Sequence, residues 1–371
     1  MTNKTAPFTA DIVGSFLRPS YLKQARNSYF QGKITFEELT NVENTAIADL
    51  VNKQLSLNLP VVTDGEFRRA YWHLDFLAEL TGIEKVHADK WSVAFHGSQP
   101  KAATLKIVDK IDFNEHSFLS HFKYLHSLVK DKAISKLTIP SPSMLHLICC
   151  VREENYQPIE LYKDEQKLYA DIINTYQKAI LAFYEAGCRY IQLDDTSWGE
   201  FCDLSKRKQY LDRGFDLDNI AKQYVHMLND IVKVAPNDMV ITIHVCRGNF
   251  RSTWFSSGGY EPIAEILFGH CQVDGFFLEY DSDRSGDFEP LRFIKNQKVV
   301  LGLVTSKQPQ LESPNEVINR IHEASKYVPL KQLCLSSQCG FASTEEGNNL
   351  TEEEQWNKIK LIQEIAHKVW G

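Results

Sequence analysis

The sequence predicts an α/β protein built as a (β/α)8 TIM barrel with one inserted hairpin or lid near residues 84–113. Three observations carry that reading. Short apolar runs alternate with longer segments whose apolar residues recur at three and four, the pattern of βα units around a parallel sheet. Eight such runs occur, which is the strand count of a closed barrel. No GxGxxG follows the first run and no P-loop is present, so the usual marks of a doubly wound nucleotide-binding sheet are missing.

The first run is ADIVGSF (10–16), followed by the helical stretch ITFEELTNVENTAIADLVNKQLSL. LPVVTDGEF (59–67) is the second strand. A helix-like segment at 70–80 leads into the insertion, where WSVAFHG and ATLKIVDKI read as strands. After a helix near 116–130, KLTIPSPSML (136–145) is the third barrel strand, ended by prolines that cannot donate to a ladder. An amphipathic helix over 164–186 stops at Gly187, a residue suited to a left-handed cap, and YIQLDD (190–195) follows. Helix 217–234 precedes MVITIHVC, helix 260–269 precedes VDGFFLEYD (273–281), and a short helix at 288–294 precedes KVVLGLVTS (298–306). Helix 314–327 precedes QLCLSSQCG (332–340). The closing TEEEQWNKIKLIQEIAHKVW opens with threonine and three glutamates, a helix start with acids at the positive end of the dipole. No repeat or Pro/Gly-rich linker divides the chain, so residues 1–371 read as one domain.

A net charge of −7, with no Lys/Arg-rich block, argues against a nucleic-acid or membrane-surface partner. The start, MTNKTAPFTADIVGS, lacks the apolar core of a signal peptide, and no apolar run is long enough to span a bilayer. A cytoplasmic protein acting on small molecules is expected, with a homodimer as the assembly considered. Eight cysteines are too sparse and irregular for a disulfide framework, so they are free thiols or metal ligands. Cys188, Cys334 and the vicinal pair Cys149 and Cys150 read as structural.

In a barrel, chemistry sits at the C-terminal ends of the strands. Those ends carry Ser15, then Asp64 and Glu66, Ser141 and Ser143, Asp194 and Asp195, His244 and Cys246, Glu279 and Asp281, Ser306 and Lys307, and Cys339. Residues i and i+2 on a strand share a face, so His244 and Cys246 point the same way. With Glu279 and Cys339 they give an N/O/S2 set that suits Zn2+ better than Mg2+ or Ca2+. Taken singly, each has a bland reading as a core histidine, a buried thiol or an ion-pair acid; their shared place at strand ends favours a metal. A thiolate-ligated zinc reachable from the barrel mouth can hold a substrate thiol as thiolate.

These residues resemble the catalytic C-terminal barrel of the cobalamin-independent methionine synthases. VGSF (13–16), DGEF (64–67), IQLDD (191–195), HVC (244–246), the glutamate of FFLEYD (279) and QCGF (338–341) occur in that family's order, over nearly the whole chain. The resemblance implies zinc held by His244, Cys246, Glu279 and Cys339. It also implies a pocket where Ser15 meets the carboxylate of homocysteine and Glu66 and Asp194 meet its amino group. Two acids suit an ammonium, and a hydroxyl beside the Gly14 amides suits a carboxylate.

Two departures qualify the resemblance. The full-length enzymes carry a second barrel, so this chain is similar to their single-barrel relatives, and folate contacts spanning two barrels are not implied. Near TSKQP, where the family has a histidine assisting the methyl donor, this chain has Lys307, a poor proton shuttle at neutral pH. Lys307 is therefore a donor-side candidate, with His73 and His96 as alternative proton sources. The expected function is zinc-dependent methylation of homocysteine to methionine from a methylfolate or related methyl carrier. Three alternatives stand beside it: alkyl transfer to another small thiol, a non-catalytic zinc barrel that binds a sulfur amino acid, and a metal-free barrel using Lys307 as a Schiff base.

Overall fold

The computed structural model describes residues 6–87, 95 and 103–371. Its strands are β1 (Val61–Val62), β2 (Thr81–His87), β3 (Ala103–Asp112), β4 (Ile134–Pro140), β5 (Tyr190–Asp195), β6 (Val240–Val245), β7 (Gly275–Glu279), β8 (Lys298–Val304) and β9 (Leu333–Ser337). Among the described residues, seven of them form one parallel sheet in the order β1-β4-β5-β6-β7-β8-β9. Each is buried along its length, as a parallel sheet covered by helices requires.

The first predicted strand, residues 10–16, completes the curl without forming a ladder. It makes one parallel bridge, Ala10 to Leu335 of β9, and on its other flank the Phe16 N–H donates to Gly65 O at 3.1 Å. The physical reason lies in its carbonyls. Ile12 O accepts from Lys136 Nζ (2.5 Å), Val13 O from Gln192 Nε2 (2.8 Å) and Gly14 O from Thr63 Oγ1 (2.6 Å), so side chains take the place of ladder partners. Lys136 is wholly buried under the sheet's curl, 3.3 Å from Asp11 Oδ1, with its ammonium 4.0 Å from the Phe277 ring centroid.

The helices follow the expected alternation. Helix α1 (Ser20–Phe30) is joined to α2 (Phe36–Ser56), which starts on a reciprocal Thr35–Glu38 capping box. Then come α3 (Leu74–Leu77), α4 (Ser117–Val129), α5 (Pro142–His146), α6 (Glu165–Glu185), α7 (Ser197–Cys202), α8 (Leu204–Asp212), α9 (Leu217–Val232), α10 (Glu261–His270), α11 (Pro314–Ala324) and α12 (Glu352–Trp370). The threonine and glutamates read as a helix start do cap α12, through Thr351 and Glu354. The segment expected as a helix at 288–294 is a 3-10 turn, Glu289–Phe293, with a proline in its first positions. In the insertion, β2 and β3 pair antiparallel, with His87 opposite Ala103. The expected WSVAFHG strand and His96 lie outside the described residues, Phe95 excepted. No helix among the described residues is long and apolar enough to cross a membrane.

Candidate metal centre and substrate cavity

The register of the parallel sheet assembles the site. Asp194 on β5 is directly opposite His244 on β6, so two residues fifty positions apart become cross-strand neighbours. The His244 Nδ1 sits 3.0 Å from Asp194 Oδ1, which also accepts from Gln192 Nε2 at 2.7 Å. A carboxylate on Nδ1 is the arrangement that fixes ring tautomer and orientation in metal-ligating histidines; the other ring nitrogen, Nε2, lies 3.4 Å from Gln338 O and would be the one to turn to a metal. Burial disfavours a charge on His244, but the Asp194 hydrogen bond and the nearby Cys339 outweigh it and raise its pKa.

Cys246 follows β6 and Cys339 follows β9, and the two meet across the mouth of the barrel. Ligand atoms of His244, Cys246 and Cys339 all lie within 4.8 Å of one another, and all three side chains are buried. The two thiols lie side by side. A hydrogen bond from Cys246 lowers the pKa of Cys339 to about 6 against the opposing effect of burial, helped by His244, Lys307 and the Ser343 hydroxyl. Cys246, the donor, is pushed up. One imidazole and two closely spaced thiols with one proton poised to leave are the donor chemistry Zn2+ takes.

Glu279, the last residue of β7, is not among the residues whose ligand atoms converge. Its Oε1 accepts from Arg284 Nε (2.9 Å) and Nη2 (2.6 Å), and its Oε2 from the Arg247 amide (3.1 Å) and Gln338 Nε2 (3.3 Å). Burial alone would raise this carboxyl; Arg284, Arg247 and Lys307 instead hold it down at about 2.

Above the thiols a cavity opens, lined by Ser15, Glu66, Asp194, His244, Cys246 and Cys339 on its polar side. Glu66 follows β1 at φ 61, a left-handed conformation that costs a non-glycine residue roughly 1–3 kcal/mol and is typical of functional sites. Its Oε1 accepts from Thr138 Oγ1 at 2.7 Å and lies 3.5 Å from Arg69 Nη1, while its Oε2 is buried with no hydrogen-bond partner. Burial, with Asp194 and Asp64 adding to it against Arg69 and Thr138, raises the Glu66 pKa to about 7. The Ser15 Oγ accepts from the Ala342 amide at 3.2 Å, and a Cβ on Gly340 would stand 1.9 Å from that oxygen. Glycine at 340 is what lets the loop after β9 approach Ser15.

The opposite side of the cavity is aromatic: Trp72, Phe95, Phe250 and Phe255, with Phe95 edge-on to Phe255 at 5.1 Å. His73 lines this side, stacked 4.4 Å from the Trp72 ring. Burial, aided by the charges of Arg152 and Lys85, lowers its pKa to about 3. It is neutral at physiological pH. Lys307 is buried and does not itself line the cavity; its Nζ donates to Gly248 O (3.3 Å) and Asn249 Oδ1 (3.1 Å), two residues that do. Sequence reasoning passed over Arg284 and Gln338, which hold Glu279, and the aromatic wall. Gln338 and Arg247 adjoin Cys339 and Cys246 in the chain, and that adjacency was the available signal.

Fold and site together define a parallel α/β barrel with an imidazole–dithiol group at the C-terminal ends of its strands. Residues 8–367 match the family model of the cobalamin-independent synthase catalytic domain, and the chain belongs to that family. It is 47% identical over 369 residues to YxjH of Bacillus subtilis, a protein described as uncharacterized, covering 99% of this chain and 96% of that one. It is 24% identical to the methionine synthase of Saccharolobus solfataricus, over 89% of this chain and 87% of that protein. A Listeria monocytogenes structure, provisionally described as a vitamin B12-independent methionine synthase, superposes with a TM-score of 0.78 at 42% identity, covering all of both chains. A B12-independent methionine synthase from Shewanella sp. W3-18-1, 18% identical with 97% of each chain covered and a TM-score of 0.72, shares the fold.

Proposed function

We propose that this protein, acting as a single barrel domain, is a zinc-dependent homocysteine S-methyltransferase that takes a methyl group from a methylfolate or related carrier and forms methionine. The observation that carries the proposal is the convergence of His244, Cys246 and Cys339 within 4.8 Å in a cavity whose polar lining includes Glu66, Asp194 and Ser15. His244, Cys246 and Cys339 would hold the ion, with Glu279 as an exchangeable fourth ligand. Zinc supplies Lewis acidity that lowers the pKa of the acceptor thiol and keeps its sulfur nucleophilic.

The protein groups do the rest. Asp194 fixes the His244 tautomer and presents its carboxylate to the cavity. The free Oε2 of Glu66 accepts a hydrogen bond from the acceptor's ammonium. The Ser15 hydroxyl, whose oxygen already accepts the Ala342 amide, has its proton to donate to the acceptor's carboxylate. Held at both ends, the amino acid places its sulfur over the thiols, and the order so imposed lowers the entropic part of the barrier. The aromatic wall excludes water and offers flat apolar surface to the methyl carrier. Lys307, held by Gly248 O and Asn249 Oδ1, supports the Cys339 thiolate electrostatically.

Zinc-edge absorption of the zinc-loaded protein, with and without homocysteine, tests the reading. One added sulfur ligand is expected; an unchanged coordination shell sinks it. Assay with methylfolates of different glutamate length, methylcobalamin and S-methylmethionine identifies the donor.

A further inference from the structure

The cradle around Glu279 is more elaborate than an ion pair needs. Four N–H donors converge on one fully buried carboxylate, two of them from the Arg284 side chain. Arg284 is itself held in place: it donates to Asp281 at 3.1 Å, its guanidinium lies 4.6 Å from the Trp254 ring centroid, and its carbonyl accepts from the Gly258 amide at 2.8 Å. The other two donors, the Arg247 amide and Gln338 Nε2, belong to the chain neighbours of Cys246 and Cys339. The cradle and the imidazole–dithiol group are thus built from the same two segments, and a carboxylate moving between them stays within one preformed polar shell.

With zinc held by His244, Cys246, Cys339 and Glu279, an entering acceptor sulfur would displace one ligand if the tetrahedral geometry zinc favours is kept. A carboxylate released inside the protein with nowhere to go is strongly disfavoured, because a buried unpaired charge is costly. A planar guanidinium offering two parallel donors is the side chain best matched to receive it. We propose that Arg284 is a positioning residue that receives the Glu279 carboxylate when the acceptor's sulfur takes its place on the metal. The inference rests on the zinc-thiol reading above. With zinc bound, the exchange would balance: one carboxylate–metal bond would break as one sulfur–metal bond formed, and the thiol proton would leave to solvent with no oxidant needed.

The test uses the full zinc-loaded chain, titrated with L-homocysteine and read by the sulfur count at the zinc edge. Four proteins are compared: wild type, Arg284→Gln, Arg284→Lys, and Arg284→Gln combined with Glu279→Gln. Wild type is expected to gain one sulfur. Arg284→Gln is expected to keep stoichiometric zinc yet need at least tenfold more homocysteine to gain it. The combined variant, which has no carboxylate charge to relocate, is expected to recover the wild-type midpoint. A general structural role of Arg284 would not be rescued by that second change. Arg284→Lys keeps the charge and loses the fork, and a three- to tenfold rise in the midpoint is expected; it carries the test if the glutamine variant does not fold. Sulfur uptake at the wild-type concentration in Arg284→Gln or Arg284→Lys, or no recovery in the combined variant, overturns the role of Arg284. Failure of wild type itself to gain sulfur overturns the underlying function as well.

Discussion

If Glu66 recognises the acceptor's ammonium, amino-acid binding must be coupled to its ionisation. Burial raises this carboxyl to about 7, and its Oε2 has no partner in the protein. The bound state wants the carboxylate, because an ammonium beside it favours the charged form. With a free-protein pKa of about 7, roughly one molecule in eleven is ionised at pH 6 and ten in eleven at pH 8, so affinity should rise about tenfold across that interval. Homocysteine would confuse the measurement, since its thiol also loses a proton. L-methionine, which has no thiol, isolates the effect. Titration calorimetry of the zinc-loaded protein with methionine at pH 6, 7 and 8 is the assay. Glu66→Gln should flatten the profile and, at pH 8, weaken binding by about 1.5–3 kcal/mol, the usual worth of a hydrogen bond to a charged group. A wild-type affinity that is flat with pH, or a glutamine variant that keeps the slope, refutes the assignment.

The same shift makes a stability prediction. The folded pKa lies above the ordinary value of 4.5, so this stabilising contribution is complete below pH 4.5 and is lost as pH rises through about 7. At about 1.36 kcal/mol per pH unit, the move amounts to about 3 kcal/mol. Without ligand, Glu66→Gln should therefore lose less stability than wild type between pH 5 and pH 8, checked by denaturant unfolding.

Three further outcomes are expected. Cys339→Ser should fold normally and lose stoichiometric zinc, read by metal analysis after dialysis; full retention of metal would remove Cys339 from the ligand set. Asp194→Asn should weaken zinc by about 10–100-fold, because it disturbs the partner of His244 Nδ1, and should weaken methionine binding too; chelator competition and calorimetry separate the two effects, and unchanged values for both would refute its roles. Lys136→Met leaves Asp11 buried without its cation and should cost about 3–5 kcal/mol in chemical unfolding while zinc content stays unchanged.

Much of the site was legible because strand ends are legible. Period-two alternation put His244 and Cys246 on one face, and counting βα units placed Cys339 at the same end of the barrel. What the sequence did not reveal was which donors a carboxylate would choose. Glu279 read as a metal ligand from its place on β7, yet Arg284, five residues on in an acidic turn, claims one of its oxygens. Linear spacing carries no information about a guanidinium that folds back over a 3-10 turn. Lys307 was legible as a charge at a strand end; its partners, Gly248 O and Asn249 Oδ1 in the loop after β6, were not. The first strand was placed correctly and its bonding misjudged, because nothing local announces that Lys136 and Gln192 will take its carbonyls.

The meeting of Cys339 with β6 depends on a residue that does no chemistry. Strand β9 is separated from β6 by β7 and β8, so its end must lean across the mouth of the barrel. Gly302 on β8 permits this: a Cβ there would lie 2.8 Å from Gln338 Cα and 2.9 Å from Leu278 O. Just past that glycine the β8–β9 register shifts, and the Gln338 amide donates to Val304 O at 2.7 Å. The shift turns the chain after Ser337 inward, carrying Gln338 toward Glu279 and Cys339 toward Cys246 in a single bend. One irregularity in an otherwise regular ladder therefore positions both a donor to the Glu279 carboxylate and the thiol that meets Cys246, so the two groups share a single structural cause.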